Sequence, residues 1–312
     1  MAKELTTFTD LHDFVIEQSR IGTGSAASNE VNRLINITYQ DVSMEHRWRW
    51  LESSGSTVVP KVYTTGTITV SNNAATVVGV STSFTASMVG RKIRFSADDS
   101  EYQIASRSSA TRVLLTASYR GTALATAAYR IYQNLFSAPT DCEEVVDVYT
   151  HQAGWHGRKT IEPISRRQMI DYSLSTPSHE GFAHRWTHEP YTSSGTRRFS
   201  VWPAGDSSRD YRLRYEYIKQ ITPLSATTTS PLMPKSYRSV LAYGALEKLF
   251  MQQGIQQRAQ WARAEYNSKL AKMIDDGETT DRQVKLMPRG SFRQRNRRSA
   301  RRYDIDRDEY ND

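Results

Sequence analysis

A series of short β-patterned runs between Lys61 and Gln133 restricts what this chain can fold into more than any other feature. The runs are separated by turn residues such as Ser-Asn-Asn, Asp-Asp-Ser and Arg-Gly-Thr, and no helical pattern lies between them. Strands this closely spaced predict a small antiparallel barrel or sandwich. A module of about 70 residues is large enough to fold, although its core is thin. The runs are GTITV, ATVVGV, RKIRF, EYQIA, TRVLLT and YRIYQ.

Both ends of the chain have helical patterns. Near the amino terminus two helices are predicted on either side of a small-residue loop, Gly22 to Ser28. Near the carboxyl terminus one helix follows Lys235 and stops at Gly254, and another runs from about Ile255 to Ile274 and ends at Gly277. The apolar positions that define the four faces are Leu11, Phe14 and Val15; Val31, Leu34, Ile35 and Val42; Val240, Leu241, Gly244, Ala245 and Leu249; and Trp261, Ala262, Tyr266, Leu270, Met273 and Ile274.

A second β region is predicted from Glu144 to Ile221. Its last two runs, RRFSVWPAGD and YRLRYEYIKQI, are interpreted as a hairpin, in which Tyr211, Leu213, Tyr215 and Tyr217 share one face. A short helix, Ser165 to Tyr172, is predicted before a His-rich loop.

The predicted fold class is α+β. Terminal helical hairpins pack as a bundle, a central antiparallel β region carries an inserted small barrel or sandwich, and an extended arm closes the chain. The predicted boundaries are 1–52 for the first hairpin, 53–135 for the inserted module, 136–222 for the central β region, 223–277 for the second hairpin and 278–312 for the arm.

The segment from Lys285 to Asp312 combines basic and acidic blocks. Eight basic side chains and no acid lie between Lys285 and Arg302, and five acids follow from Asp304 onward. The segment has no apolar repeat, so it cannot form a core of its own. We interpret it as an arm that becomes ordered on a partner; the alternative is a solvated tail that aids solubility.

The composition limits the classes of protein that fit. The chain has 38% hydrophobic and 24% charged residues, which is polar but globular. Its 17 Tyr and six Trp suit surfaces that other subunits cover. A single cysteine, Cys142, excludes an internal disulfide and indicates folding in a reducing cytoplasm. No apolar run is long enough to span a membrane, and the amino terminus shows no signal peptide.

No catalytic, cofactor-binding or metal site is predicted. His184 and His188 have a ligand spacing only if they are helical, and their surroundings favour a packed loop. The acidic end lacks the turn glycine of a calcium loop, and the Gly22–Ala27 string lacks the βαβ unit of a dinucleotide site. Three acids, Asp98, Asp99 and Glu101, are assigned to a turn, where polar residues need no catalytic role.

The motif HRWRW contains Trp48 and Trp50 in alternation with Arg47 and Arg49. Such a motif can stack on nucleic-acid bases. We favour core packing of the tryptophans under the arginines, because one face of this helix is already apolar.

The order of these segments resembles the head-to-tail adaptor proteins of tailed bacteriophages. The resemblance lies in an ordered pattern and covers most of Asn32 to Phe250. Its segments are NRLINITYQDV with HRWRWL, the insert from GTITV to YRIYQ, the return LFSAPTDCEEVVDVY, and VWPAGD through to EKLF.

The resemblance implies a structural virion protein at the head–tail junction, assembled in the host cytoplasm. It implies a ring, commonly of twelve copies, beneath the portal protein. The ring extends the channel for double-stranded DNA without reading its sequence and attaches the next tail component, a nozzle or a fibre. By the same resemblance the arm docks on the portal; its candidate residues are Arg289, Phe292, Arg293, Arg295, Arg297, Arg298, Arg301, Arg302, Tyr303, Ile305 and Tyr310. The alternatives are a nucleic-acid-binding protein that uses the Arg-rich end and a peptidoglycan hydrolase of the tail.

Overall fold

The computed structural model describes residues 5–22, 24–97, 100–151, 159–175, 179–225 and 230–285. Of these, the residues up to Leu51 and from Ile221 to Lys285 form one compact unit, which we call the helical unit. Residues 52–220 form a second one, which we call the β unit. The protein is therefore a mixed α/β molecule in which the β unit is inserted between two helical segments.

The described residues contain five α-helices and fifteen strands. The helices are α1 (Phe8–Ser19), α2 (Ser25–Glu45), α3 (Arg166–Ser175), α4 (Ser239–Gln252) and α5 (Gln256–Lys285). The strands are β1 (Glu52–Val59), β2 (Thr67–Val70), β3 (Thr76–Val80), β4 (Lys92–Phe95), β5 (Glu101–Ser109), β6 (Arg112–Leu115), β7 (Leu124–Ala127), β8 (Tyr129–Tyr132), β9 (Leu135–Ser137), β10 (Cys142–His151), β11 (Lys159–Thr160), β12 (Glu162–Pro163), β13 (Arg185–Glu189), β14 (Arg198–Trp202) and β15 (Tyr211–Lys219).

Helix α4 lies at the centre of the helical unit, in contact with α1, α2 and α5. Its apolar stripe is buried, as the spacing predicts. Buried Arg238 precedes it and donates hydrogen bonds to the carbonyl oxygens of Thr6, Pro231 and Met233. Charge-assisted bonds of this kind fix the chain segments before α1 and α4 on each other.

The prediction that the last helix ends at Gly277 is wrong, because α5 continues to Lys285. A glycine ends a helix when it adopts a left-handed conformation. Gly254 does so, with φ of +74°, and α4 ends just before it. Gly277 keeps a helical backbone, so residues 278–285, assigned to the extended arm, are helical. The second helix also begins earlier than predicted, at Ser25, so the loop after Gly22 is shorter.

Two four-stranded sheets of the β unit share one core. Their strand orders are β1-β15-β10-β11, which is antiparallel, and β12-β13-β14-β9, in which only β12 and β13 run parallel. The predicted face of β15 is buried: Tyr211, Leu213, Tyr215 and Tyr217 lie in the same apolar cluster as Phe199 and Val201 of β14.

The hairpin predicted between β14 and β15 is wrong. Both edges of β15 are taken by β1 and β10, and both edges of β14 by β13 and β9. The two strands therefore belong to different sheets and contribute to one core between them. Alternation identified their buried faces, but it carries no information on which strands pair.

The third sheet has seven strands in the order β7-β2-β3-β6-β5-β4-β8 and curls into a half-barrel. A separate apolar cluster forms its core and includes Phe84, Phe95, Tyr119 and Ile131. Residues 53–59, which the sequence grouped with this module, instead lie in β1 and pair with β15. Their partner strand, β15, lies about 150 residues later in the sequence, and a local pattern carries no information on such a distant pairing.

Candidate functional site

The predicted portal-binding residues lie outside the described residues, which end at Lys285. They are Arg289, Phe292, Arg293, Arg295, Arg297, Arg298, Arg301, Arg302, Tyr303, Ile305 and Tyr310. Within the described chain, functional candidates are a charged cluster in the seven-stranded sheet, a histidine-rich region and several exposed apolar side chains.

Four polar side chains of the seven-stranded sheet form a compact cluster, which we call the Glu101 cluster. Strand β4 places Arg94 opposite Glu101 of β5 and Lys92 opposite Tyr132 of β8. The Lys92 Nζ lies 2.6 Å from Glu101 Oε1, and the Arg94 Nη2 lies 3.2 Å from Oε2. The Tyr132 hydroxyl donates to the same Oε2. One carboxylate thus joins three strands.

The electrostatics of the Glu101 cluster favour a charged carboxylate. Burial by itself raises the pKa of Glu101, but Lys92, the hydrogen bonds from Lys92 and Tyr132, and Arg94 outweigh it, so that the pKa is lowered. Burial and the neighbouring carboxylate raise the pKa of Tyr132, which keeps its hydroxyl protonated as the donor. Arg94 is only 7% exposed, so its charge depends on Glu101 for compensation.

Glu101 was assigned to a turn from the sequence, and this assignment is wrong, because it begins β5. Asp98 and Asp99, assigned to the same turn, lie outside the described residues. Lys92, Arg94 and Tyr132 were not singled out. The sequence does contain a signal: basic and apolar residues alternate in KIRF, and an acid begins the next run, EYQIA. Opposite charges on neighbouring strands indicate cross-strand partners.

A small cleft adjoins the Glu101 cluster where the seven-stranded sheet meets the region after α3. The Nη1 atom of Arg130, on β8, lies 3.3 Å from Oε1 of Glu180. Trp202 is flanked by Tyr172 and His179, with ring centroids 5.2 and 4.8 Å away. The cleft has a volume of about 30 Å³, which fits a water molecule or two and is far below the size of an organic ligand site. The Arg130–Glu180 ion pair links the seven-stranded sheet to the segment before β13.

The histidine-rich region is not a loop throughout, since β13 begins at Arg185 and contains His188. His188 packs against Trp186, and burial lowers the pKa of its imidazole despite the opposing effect of Glu144. His184 and His179 surround Trp202. Across the described residues no group of three or more His, Cys, Asp or Glu side chains is placed to hold a metal ion. The side chains of His151 and His156 lie outside the described residues.

The packing interpretation of HRWRW is confirmed for Trp48. Its side chain is buried, and its indole N–H donates to the carbonyl oxygen of Val42. Trp50 stacks between Trp48 and Tyr39, with ring centroids 6.1 and 6.3 Å away. The two tryptophan rings therefore pack within the helical unit.

Several large apolar side chains are exposed. On α3, Ile170 and Leu174 are 48% and 71% exposed and lie one turn apart. In the helical unit Met251, Ile255 and Trp261 are exposed around the connection between α4 and α5. In the part of the chain that the structure describes, no helix is long and apolar enough to cross a membrane.

Comparison with known sequences places this mixed α/β chain among the structural adaptor proteins of bacteriophages. The chain belongs to the SU10 adaptor protein family, whose model matches residues 98–295. No curated protein matches the sequence. The family makes this chain a virion component that interacts with other head or tail components of a phage.

Proposed function

We propose that this protein is the head-to-tail adaptor of its virion. Copies of the chain form a closed ring, with twelve as the expected number, beneath the portal protein at the head–tail junction. The ring extends the DNA channel and attaches the next tail component, a nozzle or a fibre. The duplex passes through the lumen without being read in sequence, so that its contacts are to the phosphate backbone. The ring assembles in the host cytoplasm.

The observation that carries this proposal is the extent of the family match. It runs from residue 98 to residue 295 and therefore includes most of the β unit, α4, α5 and the first residues beyond Lys285. The match thus extends into the basic segment that we assign to portal docking. Arg289, Phe292, Arg293 and Arg295 lie within it.

The exposed apolar residues support assembly into a ring. A ring requires two different complementary faces on each copy. Ile170 and Leu174 of α3 supply apolar area in the β unit, and Trp261 supplies it in the helical unit. Aromatic side chains are enriched where subunits meet, and the buried core of an interface is more apolar than the rest of the surface. We propose that the helices of both chain ends pack as one bundle and serve as the stiff wedge of each copy.

The arm supplies the joint to the portal. Its basic block precedes its acidic end, which fixes the direction in which it lies on a complementary surface. Because each copy in a ring contributes one arm, weak individual contacts combine through their high effective concentration.

Removing residues 286–312 tests the proposal. We expect the shortened protein to keep the helical circular dichroism and unfolding transition of the intact chain and to lose its stable complex with portal rings, because the docking segment is gone. The complex is measured by size-exclusion chromatography and negative-stain imaging of protein mixed with portal. A second variant that lacks only residues 304–312 retains the basic block and separates its contribution from that of the acidic end. Equally tight portal binding by the intact and shortened chains would disprove the role of the arm.

A further inference from the structure

The net positive charge of the chain before Lys285 is concentrated in the inserted module. Residues 61–133 contain eight basic and three acidic side chains, a net charge of +5. Residues 1–60 and 134–284 together carry a net charge of −1. The seven-stranded sheet is therefore the part of the body with an electrostatic preference for an anionic partner.

Within this sheet, the tip of the β5–β6 hairpin presents an open polar surface. Every residue from Ala105 to Arg112 is exposed. They comprise two arginines, Arg107 and Arg112, three serines, a threonine and two alanines, and no acid or aromatic residue. Register pairs Arg112 with Ser109 and Arg107 with Val113, so both arginines lie close to the Ala110–Thr111 turn.

The hairpin tip is held in place by β3 and by the segment that follows it. The amide groups of Gly79 and Phe84 donate to the carbonyl oxygens of Thr111 and Ala110, at 2.7 and 2.8 Å. The Arg107 Nε donates to the carbonyl oxygen of Phe84 at 2.8 Å. This bond uses Nε and orients the guanidinium group. Arg107 is exposed, so the two terminal nitrogens are available to a ligand, and less side-chain entropy is lost when the ligand binds.

From these observations we infer that the β5–β6 hairpin tip binds the phosphodiester backbone of double-stranded DNA. Arginine side chains and Ser/Thr hydroxyl groups are typical donors to phosphate oxygens. Protein–protein interfaces also use arginine, but they are enriched in aromatic residues and depleted in serine and alanine, whereas this tip has three serines, two alanines and no aromatic residue. Proteins that hold single strands stack bases on aromatic rings, which the tip lacks. The inference rests on the proposed function to the extent that the bound duplex is the one that the ring conducts.

The test compares two doubly substituted full-length proteins. Arg107→Gln with Arg112→Gln alters the hairpin tip, and Arg212→Gln with Arg214→Gln removes the same charge from the exposed side of β15. Binding to a duplex DNA is measured by fluorescence anisotropy at several salt concentrations. The plot of log K against log salt has a negative slope, and each lost phosphate contact lowers the magnitude of that slope by about 0.9. We expect the magnitude to fall by about 2 in the hairpin variant and to stay unchanged in the β15 variant.

An unchanged slope in the hairpin variant, or an equal fall in both variants, would overturn the inference. Polyglutamate is measured in parallel. If the hairpin arginines govern binding to polyglutamate but not to DNA, the partner is an acidic protein and the inference is wrong. Negative-stain images of both variants with portal distinguish this failure from that of the proposed function: normal rings with unaltered DNA binding contradict only the hairpin inference, whereas failure of the unaltered protein to form rings contradicts the adaptor assignment.

Discussion

Replacing Gly244 with alanine should lower the free energy of unfolding of the helical unit by up to about 2 kcal/mol, because the added methyl group overpacks a filled contact. A Cβ atom at this position would lie 2.4 Å from Cγ2 of Thr38 and 3.0 Å from the ring of Tyr266. Thr38 is fully buried, and its hydroxyl donates to the carbonyl oxygen of Leu34 at 2.9 Å, which fixes its rotamer. Overpacking of this kind costs about 1–3 kcal/mol and exceeds the gain in helix propensity of about 1 kcal/mol. Leucine at the same position should cost more than alanine.

Gly277 provides a matched control, because it is also a helical glycine and a Cβ there would meet nothing within 4 Å. Gly277→Ala should therefore stabilise the protein by up to about 1 kcal/mol. Chemical denaturation followed by helical circular dichroism is a suitable measurement, since four of the five described helices lie in the helical unit.

A double-mutant cycle identifies the contact responsible. Thr38→Ser removes the methyl group that the new Cβ would strike and keeps the hydroxyl. Gly244→Ala should consequently cost less in the Thr38→Ser protein, with a coupling of about 1 kcal/mol. If Gly244→Ala and Gly277→Ala change the free energy of unfolding equally, or if the coupling is zero, the close approach of α2 and α4 does not determine the effect of a side chain at position 244.

The buried faces of the elements were predictable from the sequence, but their partners were not. Alternation in YRLRYEY and helical spacing in the stripe of α4 indicate which side chains face a core, because both depend only on neighbours along the chain. Pairing depends on residues far away. Strand β15 lies between β10 and β1, and β1 is at the opposite end of the β unit in the sequence, so the local hairpin interpretation was wrong.

The same distinction applies to the candidate sites. The excess charge of residues 61–133 can be counted in the sequence, but its presentation at the β5–β6 hairpin tip requires the strand register. The Glu101 cluster unites side chains from β4, β5 and β8, and no spacing within one run indicates that Tyr132 donates to Glu101. The end of α5 was also missed, because composition does not reveal whether a glycine keeps a helical backbone.

Neutralising the carboxylate of the Glu101 cluster should destabilise the seven-stranded sheet by about 2–4 kcal/mol, because it leaves buried positive charge without a partner. Glu101→Gln keeps the size of the side chain but leaves Arg94, which is buried, and Lys92 without an anion. Removing one partner of a buried ion pair costs about 3–5 kcal/mol; we expect somewhat less because the Glu101 side chain is 27% exposed. Hydrogen exchange of the amides in β4, β5 and β8, followed by mass spectrometry, measures the loss locally.

Glu162→Gln is the matched control for this prediction. Glu162 accepts from Arg185 at 2.9 Å, but its side chain is 66% exposed. An exposed ion pair contributes about 0–1 kcal/mol, so this variant should exchange almost as slowly as the unaltered protein. Equal effects of the two substitutions would show that burial of Arg94 does not matter.

The pH dependence of the same pair of proteins gives an independent check with a defined sign. The pKa of Glu101 is lower in the folded protein than in the unfolded chain, so the carboxylate stabilises the fold above its ordinary pKa of about 4.3. This contribution is lost as the pH falls through the folded value, where the carboxyl group becomes protonated. The difference in stability between the unaltered protein and Glu101→Gln should therefore be full at neutral pH and shrink below about pH 4. A difference that does not shrink as the pH falls well below about 4 would mean that Glu101 acts through its shape and not through its charge. In that case the ion pairs to Lys92 and Arg94 would not be what joins β4 to β5 and β8.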